Sequence, residues 1–113
     1  MDPAPILLAR DGPVATLTLN RPEALNVLDL AMVDALIPAC AEVAADDAIR
    51  VLVVRGAGGH FMAGGDIRTF ARESHRPPDE RIRGFQHLVE RVHIVVETLA
   101  RMDKPAVARV HGA

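Results

Sequence analysis

Aromatic side chains are scarce in this chain: 113 residues include three Phe and neither Trp nor Tyr. Its core must therefore be built from Ala, Val, Leu and Ile, and half of the residues are apolar. Cysteine is scarcer still. Cys40 stands alone, which excludes an intrachain disulfide and suits a reducing compartment. Neither sign of charge is in excess, with 13 Lys and Arg against 15 Asp and Glu and a formal net charge of −2. That balance gives no electrostatic case for nucleic acid or an anionic membrane as partner. No apolar run approaches the roughly 18 residues of a membrane span. The opening Met1-Asp2-Pro3-Ala4-Pro5 lacks the basic and apolar regions of a secretory signal. Cytoplasm is the expected location, and one small globular domain the expected organisation.

Present instead is a run of short elements separated by Gly and Pro. Residues 6–10 and 14–19 flank Asp11-Gly12-Pro13 and predict a hairpin, with Ala15, Leu17 and Leu19 on one face and Val14, Thr16 and Thr18 on the other. Pro22 stops the second strand. There, Asn20, Arg21 and Asn26 either satisfy loop backbone groups or serve a ligand. Residues 29–45 carry Leu30, Val33, Leu36, Ile37, Cys40, Val43 and Ala44 at helical spacing, with Asp29 as N-cap. Pro38 inside that helix should cost about 3 kcal/mol or bend it. Cys40 lies on the apolar stripe and reads as core, not nucleophile. Residues 49–55 form an apolar strand expected to be buried on both faces. A loop at 74–79, with Asp79 as N-cap, should lead into a long helix over 80–102 whose apolar face holds Ile82, Phe85, Leu88, Val89, Val92, Val95, Val96 and Leu99. A strand at 106–110 follows, and the element order argues α/β or α+β.

The chemistry centres on His60-Phe61-Met62-Ala63-Gly64-Gly65-Asp66-Ile67, between a strand and a helix. Adjacent glycines allow a sharp turn with bare N–H groups, and Asp66 can cap the helix. Such fixed donors suit a developing oxyanion. The same pattern also makes an ordinary turn. A phosphate loop is excluded, because neither Gly-x-x-x-x-Gly-Lys-Ser/Thr nor Gly-x-Gly-x-x-Gly is present. His87 and His93, six residues apart, cannot chelate one metal from one helix, and His60, His75 and His111 fall in separate loops or edges; no metal site is expected. Glu90 and Glu97 read as a solvated stripe.

Phe61-Met62-Ala63-Gly64-Gly65-Asp66-Ile67 resembles the F-x-A-G-x-D-[IL] signature of the enoyl-CoA hydratase/isomerase (crotonase) family. Three further stretches agree with that family in order and spacing: Leu19-Asn20-Arg21-Pro22-Glu23-Ala24-Leu25-Asn26, Val51-Leu52-Val53-Val54-Arg55-Gly56 and 103–113 with its Lys104-Pro105 start. The resemblance implies the crotonase-like (ClpP/crotonase) ββα spiral, an α/β fold, of which residues 1–113 would be the N-terminal part of an acyl-CoA-binding domain. It implies enoyl-CoA hydratase, isomerase or dehalogenase chemistry on acyl-CoA thioesters, with CoA as part of the substrate and no separate cofactor. The Gly65 N–H would be the first oxyanion donor. Ala24, Ala63, Gly64, Gly65, Asp66 and Ile67 would line the thioester and CoA, and His93 falls where the family's aryl-CoA dehalogenases carry a water-activating histidine. A partly buried helix histidine is the competing reading of His93. The family's second oxyanion loop and catalytic glutamates would follow Ala113, so the chain alone is expected to be nearly inert. A trimer or hexamer is the family's expected assembly. The rival expectation is a non-catalytic CoA-binding or assembly module.

Overall fold

A computed structural model describes residues 3–113; Met1 and Asp2, part of the opening weighed above as a signal, lie outside the described residues. β1 (Ile6–Asp11) and β2 (Val14–Leu19) form the expected antiparallel hairpin, with Ile6 opposite Leu19 and Asp11 opposite Val14. Its tight connection needs φ +59° at Gly12, a conformation that carries no Cβ penalty in glycine. The Pro13 carbonyl accepts from the Arg50 N–H at 2.7 Å and so seats the next strand beside the first two. That strand, β3 (Val51–Gly56), runs parallel to β2, and β4 (Ala106–Arg109) runs parallel to β3. The sheet order is β1-β2-β3-β4. Each parallel pairing needs a crossover. α1 (Leu30–Ala45) supplies the first, and α2 (Ile67–Arg72) with α3 (Pro78–Arg101) the second.

Ala15, Leu17, Leu19 and Leu52 on one sheet face meet Met32, Val33, Leu36, Ala39, Cys40 and Val43 of α1, and Ile49 and Val95 complete the core. Asp29 caps α1 as expected, its side chain accepting from the Met32 N–H at 2.8 Å. The helix continues through Pro38, whose ring lies on the exposed side while the buried stripe holds the helix to the sheet. Met32 and Ala39 join that stripe, whereas Leu30 turns out of it and is exposed. Cys40 is core, and burial pushes its thiol up to about 11. At the far end, Lys104 donates to the carbonyls of Val43 (2.8 Å) and Asp46 (2.7 Å), a cationic cap on the last turn of α1.

Three expectations are corrected. β3 is not buried on both faces: Leu52 and Gly56 are buried, but Val51, Val53 and Arg55 on the opposite face are half-buried, because α1 covers one side of the sheet only. Thr18 breaks the hairpin's alternation; it points away from the core yet is buried, under Arg55, which donates to its hydroxyl at 3.2 Å. Asp79 does not cap α3. The helix starts at Pro78 behind Pro77, and Asp79 sits in its first turn, where a negative charge favours the helix dipole.

Much of α3 meets solvent. Only Val95 is buried and Leu88, Val92 and Leu99 are partly covered by α1, while Ile82, Phe85, Val89, Ile94 and Val96 are exposed. All four residues of the edge strand β4 are exposed too. An open edge beside apolar surface is a template for association. The purified 113-residue chain should therefore elute from size exclusion as oligomer or aggregate. A monodisperse monomer with a sharp thermal transition above about 60 °C, the upper part of the mesophilic range, would contradict this.

Candidate functional site

Strands β2, β3 and β4 direct their carboxyl ends to one side, and the connections at 20–28, 57–66 and 110–113 gather there. Open α/β sheets place ligands outside the carboxyl ends of their strands. Asn26 ties two of these connections together. Its Oδ1 accepts from the Arg21 N–H at 2.7 Å, and its Nδ2 donates to the carbonyls of Ala57 and His60, both at 3.0 Å. Asn26 is fully buried, with φ +53° beside Leu25 at +56°. Asn20 likewise serves backbone, donating to the Ala4 carbonyl at 3.0 Å. Of the two readings left open for these residues, backbone satisfaction is the observed one for Asn20 and Asn26.

The signature segment is held on both sides. The Ala63 N–H donates to the Leu25 carbonyl at 3.1 Å, and the Leu28 N–H to the Gly64 carbonyl at 2.8 Å, so 25–28 and 63–65 run together. On the other flank the Ala113 carbonyl accepts from Phe61 N–H (2.7 Å) and Met62 N–H (3.1 Å). The Ala113 N–H donates to His60 Nδ1 at 2.9 Å, and the His111 Nε2–H reaches the Gly58 carbonyl at 2.8 Å. His60 and His111, expected in separate places, thus lock the same two segments together. Gly56, at the end of β3, lies beneath this turn: a Cβ there would overlap the carbonyl oxygens of His60 and Phe61.

These bonds occupy the backbone donors from Phe61 to Ala63 and stop short of Gly65. Gly64, at φ +96°, directs its N–H to Met62 Sδ at 3.1 Å. The Gly65 N–H has no acceptor among the described residues. Gly65 is exposed, and it leads into Asp66, which caps α2 by accepting from the Arg68 N–H (3.1 Å) and the Thr69 hydroxyl (2.8 Å). The Thr69 hydrogen bond, aided by the Arg68 N–H against a desolvation cost, holds the Asp66 carboxyl below its ordinary pKa.

Beside Gly65 lies a cavity of about 500 Å³ between the N-terminal turn of α1, α2 and α3. Leu28, Leu30, Phe70, Phe85 and Leu88 form its apolar wall. This is where Leu30 turns after leaving the core. A Cβ on Gly65 would lie 3.3 Å from the Phe70 ring, and Phe70 meets Phe85 edge-on, centroids 5.9 Å apart at 63°.

Of the residues named from sequence, Ala63, Gly64, Gly65, Asp66 and Ile67 are contiguous here, and Ala24 lies in the 3-10 turn (Pro22–Ala24) leading into the paired 25–28 stretch. Ile67 is 75% exposed. His93 does not join them. It is exposed on α3, neither partly buried nor part of the cavity wall; His87 is the histidine on that wall. Glu90 and Glu97 are exposed on the same helix, as a solvated stripe should be. The Phe70–Phe85 contact and the pairing at residues 111–113 could not be read from spacing, since their partners lie 15 to 53 positions away.

An α/β domain with a sharply turned Gly-Gly segment and one bare N–H at its ligand-facing end has well-defined relatives. A sequence model of the enoyl-CoA hydratase/isomerase family matches residues 14–113, and the chain belongs to that family. YhaR of Bacillus subtilis, a candidate enoyl-CoA hydratase/isomerase, is 39% identical over 105 residues, 93% of this chain and 38% of YhaR. The trans-2-decenoyl-[acyl-carrier-protein] isomerase of Streptococcus mutans is 32% identical over 114 residues, all of this chain and 42% of that protein. The rat mitochondrial 3-hydroxyisobutyryl-CoA hydrolase is 33% identical over 110 residues, 96% of this chain and 28% of that protein. Among solved structures, an enoyl-CoA hydratase of Mycobacterium smegmatis superposes with TM-score 0.83 at 37% identity, over 98% of this chain and 41% of that one. The fold is therefore the crotonase fold, of which this chain covers part. It spans less than half the length of each of these relatives.

Two outcomes test this geometry. Asn26→Ala leaves three part-buried backbone partners unsatisfied, at about 1–3 kcal/mol each if none finds water. It should lower stability in urea by at least about 2 kcal/mol, and a change under about 0.5 kcal/mol would show that Asn26 is not the tie. The folded pKa of Asp66 is depressed, so its cap contributes fully above the ordinary carboxylate pKa and is lost as pH falls through the lower folded value. An NMR titration of the Arg68 amide should show a midpoint below about 3.9, absent in Asp66→Asn; a midpoint at or above that value contradicts the assignment.

Proposed function

We propose that this chain supplies the first oxyanion donor and part of the CoA path of an acyl-thioester enzyme. The single observation that carries the reading is the N–H of exposed Gly65, which has no acceptor among the described residues while the four donors before it, Phe61 to Gly64, are taken. Proton removal next to a thioester carbonyl moves negative charge onto its oxygen. A donor already fixed in place stabilises that charge without reorganising. The Asn26 bonds and the pairing at 25–28 fix it. CoA would lie along the paired 24–28 and 63–67 backbone, and the acyl end would point past Gly65.

Hydratase, isomerase and hydrolase relatives all fit this division of labour, because a donor to the thioester oxygen can stabilise either an enolate or the tetrahedral oxyanion of hydrolysis. No carboxylate of this chain is given the acid/base role: Asp66 is engaged as a cap, and Glu90 and Glu97 lie on the solvated side of α3. One donor without a partner loses about 100- to 1000-fold in rate, and loss of the general acid/base a comparable factor. The chain alone should therefore bind CoA thioesters weakly and turn over none. Steady hydration of crotonyl-CoA by the purified 113 residues would overturn this division.

Gly65 is tested in a chimera that joins this chain to the remainder of the M. smegmatis hydratase. Gly65→Pro removes the N–H, and crotonyl-CoA turnover should fall at least about 100-fold. A fall below about threefold, with the melt preserved, would sink the assignment of Gly65 as donor.

A further inference from the structure

We propose that the cavity between α1, α2 and α3 receives the acyl group and admits uncharged, apolar ones: Phe70 attracts them, and Glu73, with Asp29 and Asp66, turns away acyl groups ending in a carboxylate. This deepens the reading of Gly65 as thioester donor and rests on it. Position comes first. The Phe70 ring lies 3.3 Å from where a Cβ of Gly65 would stand and also lines the cavity, so it stands between Gly65 and that space. The cavity, at about 500 Å³, has the size of an ordinary small-molecule site.

Attraction comes from rings that are not otherwise used. Phe70 is 40% and Phe85 54% exposed, and α2 buries none of its residues. Without a ligand, two of the chain's three aromatic side chains leave much of their surface to water. An apolar acyl group would cover them and gain in proportion to the area removed from water.

Rejection comes from charge. Asp66 and Glu73 line the cavity against a single guanidinium, Arg81, with His87 beside it; Asp29 lines it too, its Oδ2 4.0 Å from Arg21 Nη1. Asp29 and Asp66 cap α1 and α2, and the hydrogen bonds at Asp66 favour its ionised form. Glu73 and Arg81 form no ion pair among the described residues, although both face the cavity. Glu73 Oε2 lies 3.7 Å from where a Cβ of Gly84 would stand, directed across the cavity toward α3. A second carboxylate brought into this space meets an excess of like charge, which is discrimination by repulsion.

A matched pair of ligands tests both halves. Hexanoyl-CoA and adipoyl-CoA share a six-carbon acyl chain and differ by a terminal carboxylate. Each is titrated calorimetrically into the chimera with the M. smegmatis remainder and compared with CoA alone. Hexanoyl-CoA should bind about tenfold or more tighter than CoA, and adipoyl-CoA no tighter than CoA. In Phe70→Ala the hexanoyl-to-CoA ratio should fall toward one. In Glu73→Gln the adipoyl-to-CoA ratio should rise at least about threefold. The ratio is read within each variant, and both side chains lie outside the core, so circular dichroism should match the parent. Equal binding of hexanoyl-CoA and CoA, adipoyl-CoA binding as tightly as hexanoyl-CoA, or ratios unmoved by both substitutions would overturn the proposal. If no CoA compound binds at all, the reading of Gly65 fails first and this one falls with it.

Discussion

The arrangement at the carboxyl end of the sheet depends on one buried amide. Asn26 is fully buried and uses its side-chain oxygen and both N–H groups on backbone partners from two connections. An interior amide in that state is stabilising, whereas the same amide with one partner missing is costly, so the two connections have a single good relative position. Two adjacent residues in left-handed conformation, Leu25 and Asn26, are the local strain that this tie holds in place. Once 21–26 is fixed against 57–60, the Leu25 carbonyl and the Leu28 N–H are in position to hold Ala63 and Gly64. The N–H of exposed Gly65 is the first one left without an acceptor after the run of engaged donors from Phe61 to Gly64.

A second constraint is steric. Gly56 ends β3 where the chain turns back over itself, and the carbonyls of His60 and Phe61 occupy the place of a side chain. Residues 111–113 close the same turn from β4 through both histidines and the Ala113 backbone. The candidate site therefore draws on all three parallel strands, although its signature residues are consecutive. The rest of the sheet is less demanding: α1 covers one face with aliphatic side chains, and the other carries Arg55 over Thr18 with half-buried valines.

Local chemistry made much of this legible. The Gly12-Pro13 turn, the alternation in 14–19, the Asp29 cap, the core position of Cys40 and the Asp66 cap are decided by neighbours within a few residues, and each is found. The errors have a common origin. An apolar run alone points to burial of β3 on both faces, but burial depends on what packs above and below, and one side has no covering layer among the described residues. Period alone puts Leu30 on the helix stripe; its place at the first turn puts it against the cavity instead. The apolar neighbours of His93 in sequence suggest partial burial, yet that side of α3 is exposed.

What the sequence by itself determined was the order of elements, their caps and turns, and membership of a family through motifs that are short and contiguous. Those are properties of adjacent residues, fixed by backbone preference and periodicity. Tertiary structure alone decided that Asn26 would bind across 31 and 34 positions, that His60 and His111 would close one turn, and that Phe70 and Phe85 would meet beside Gly65. Such contacts depend on how parallel strands and their crossovers bring distant segments together. No local pattern encodes the distance between two such segments, because the helices between them set it.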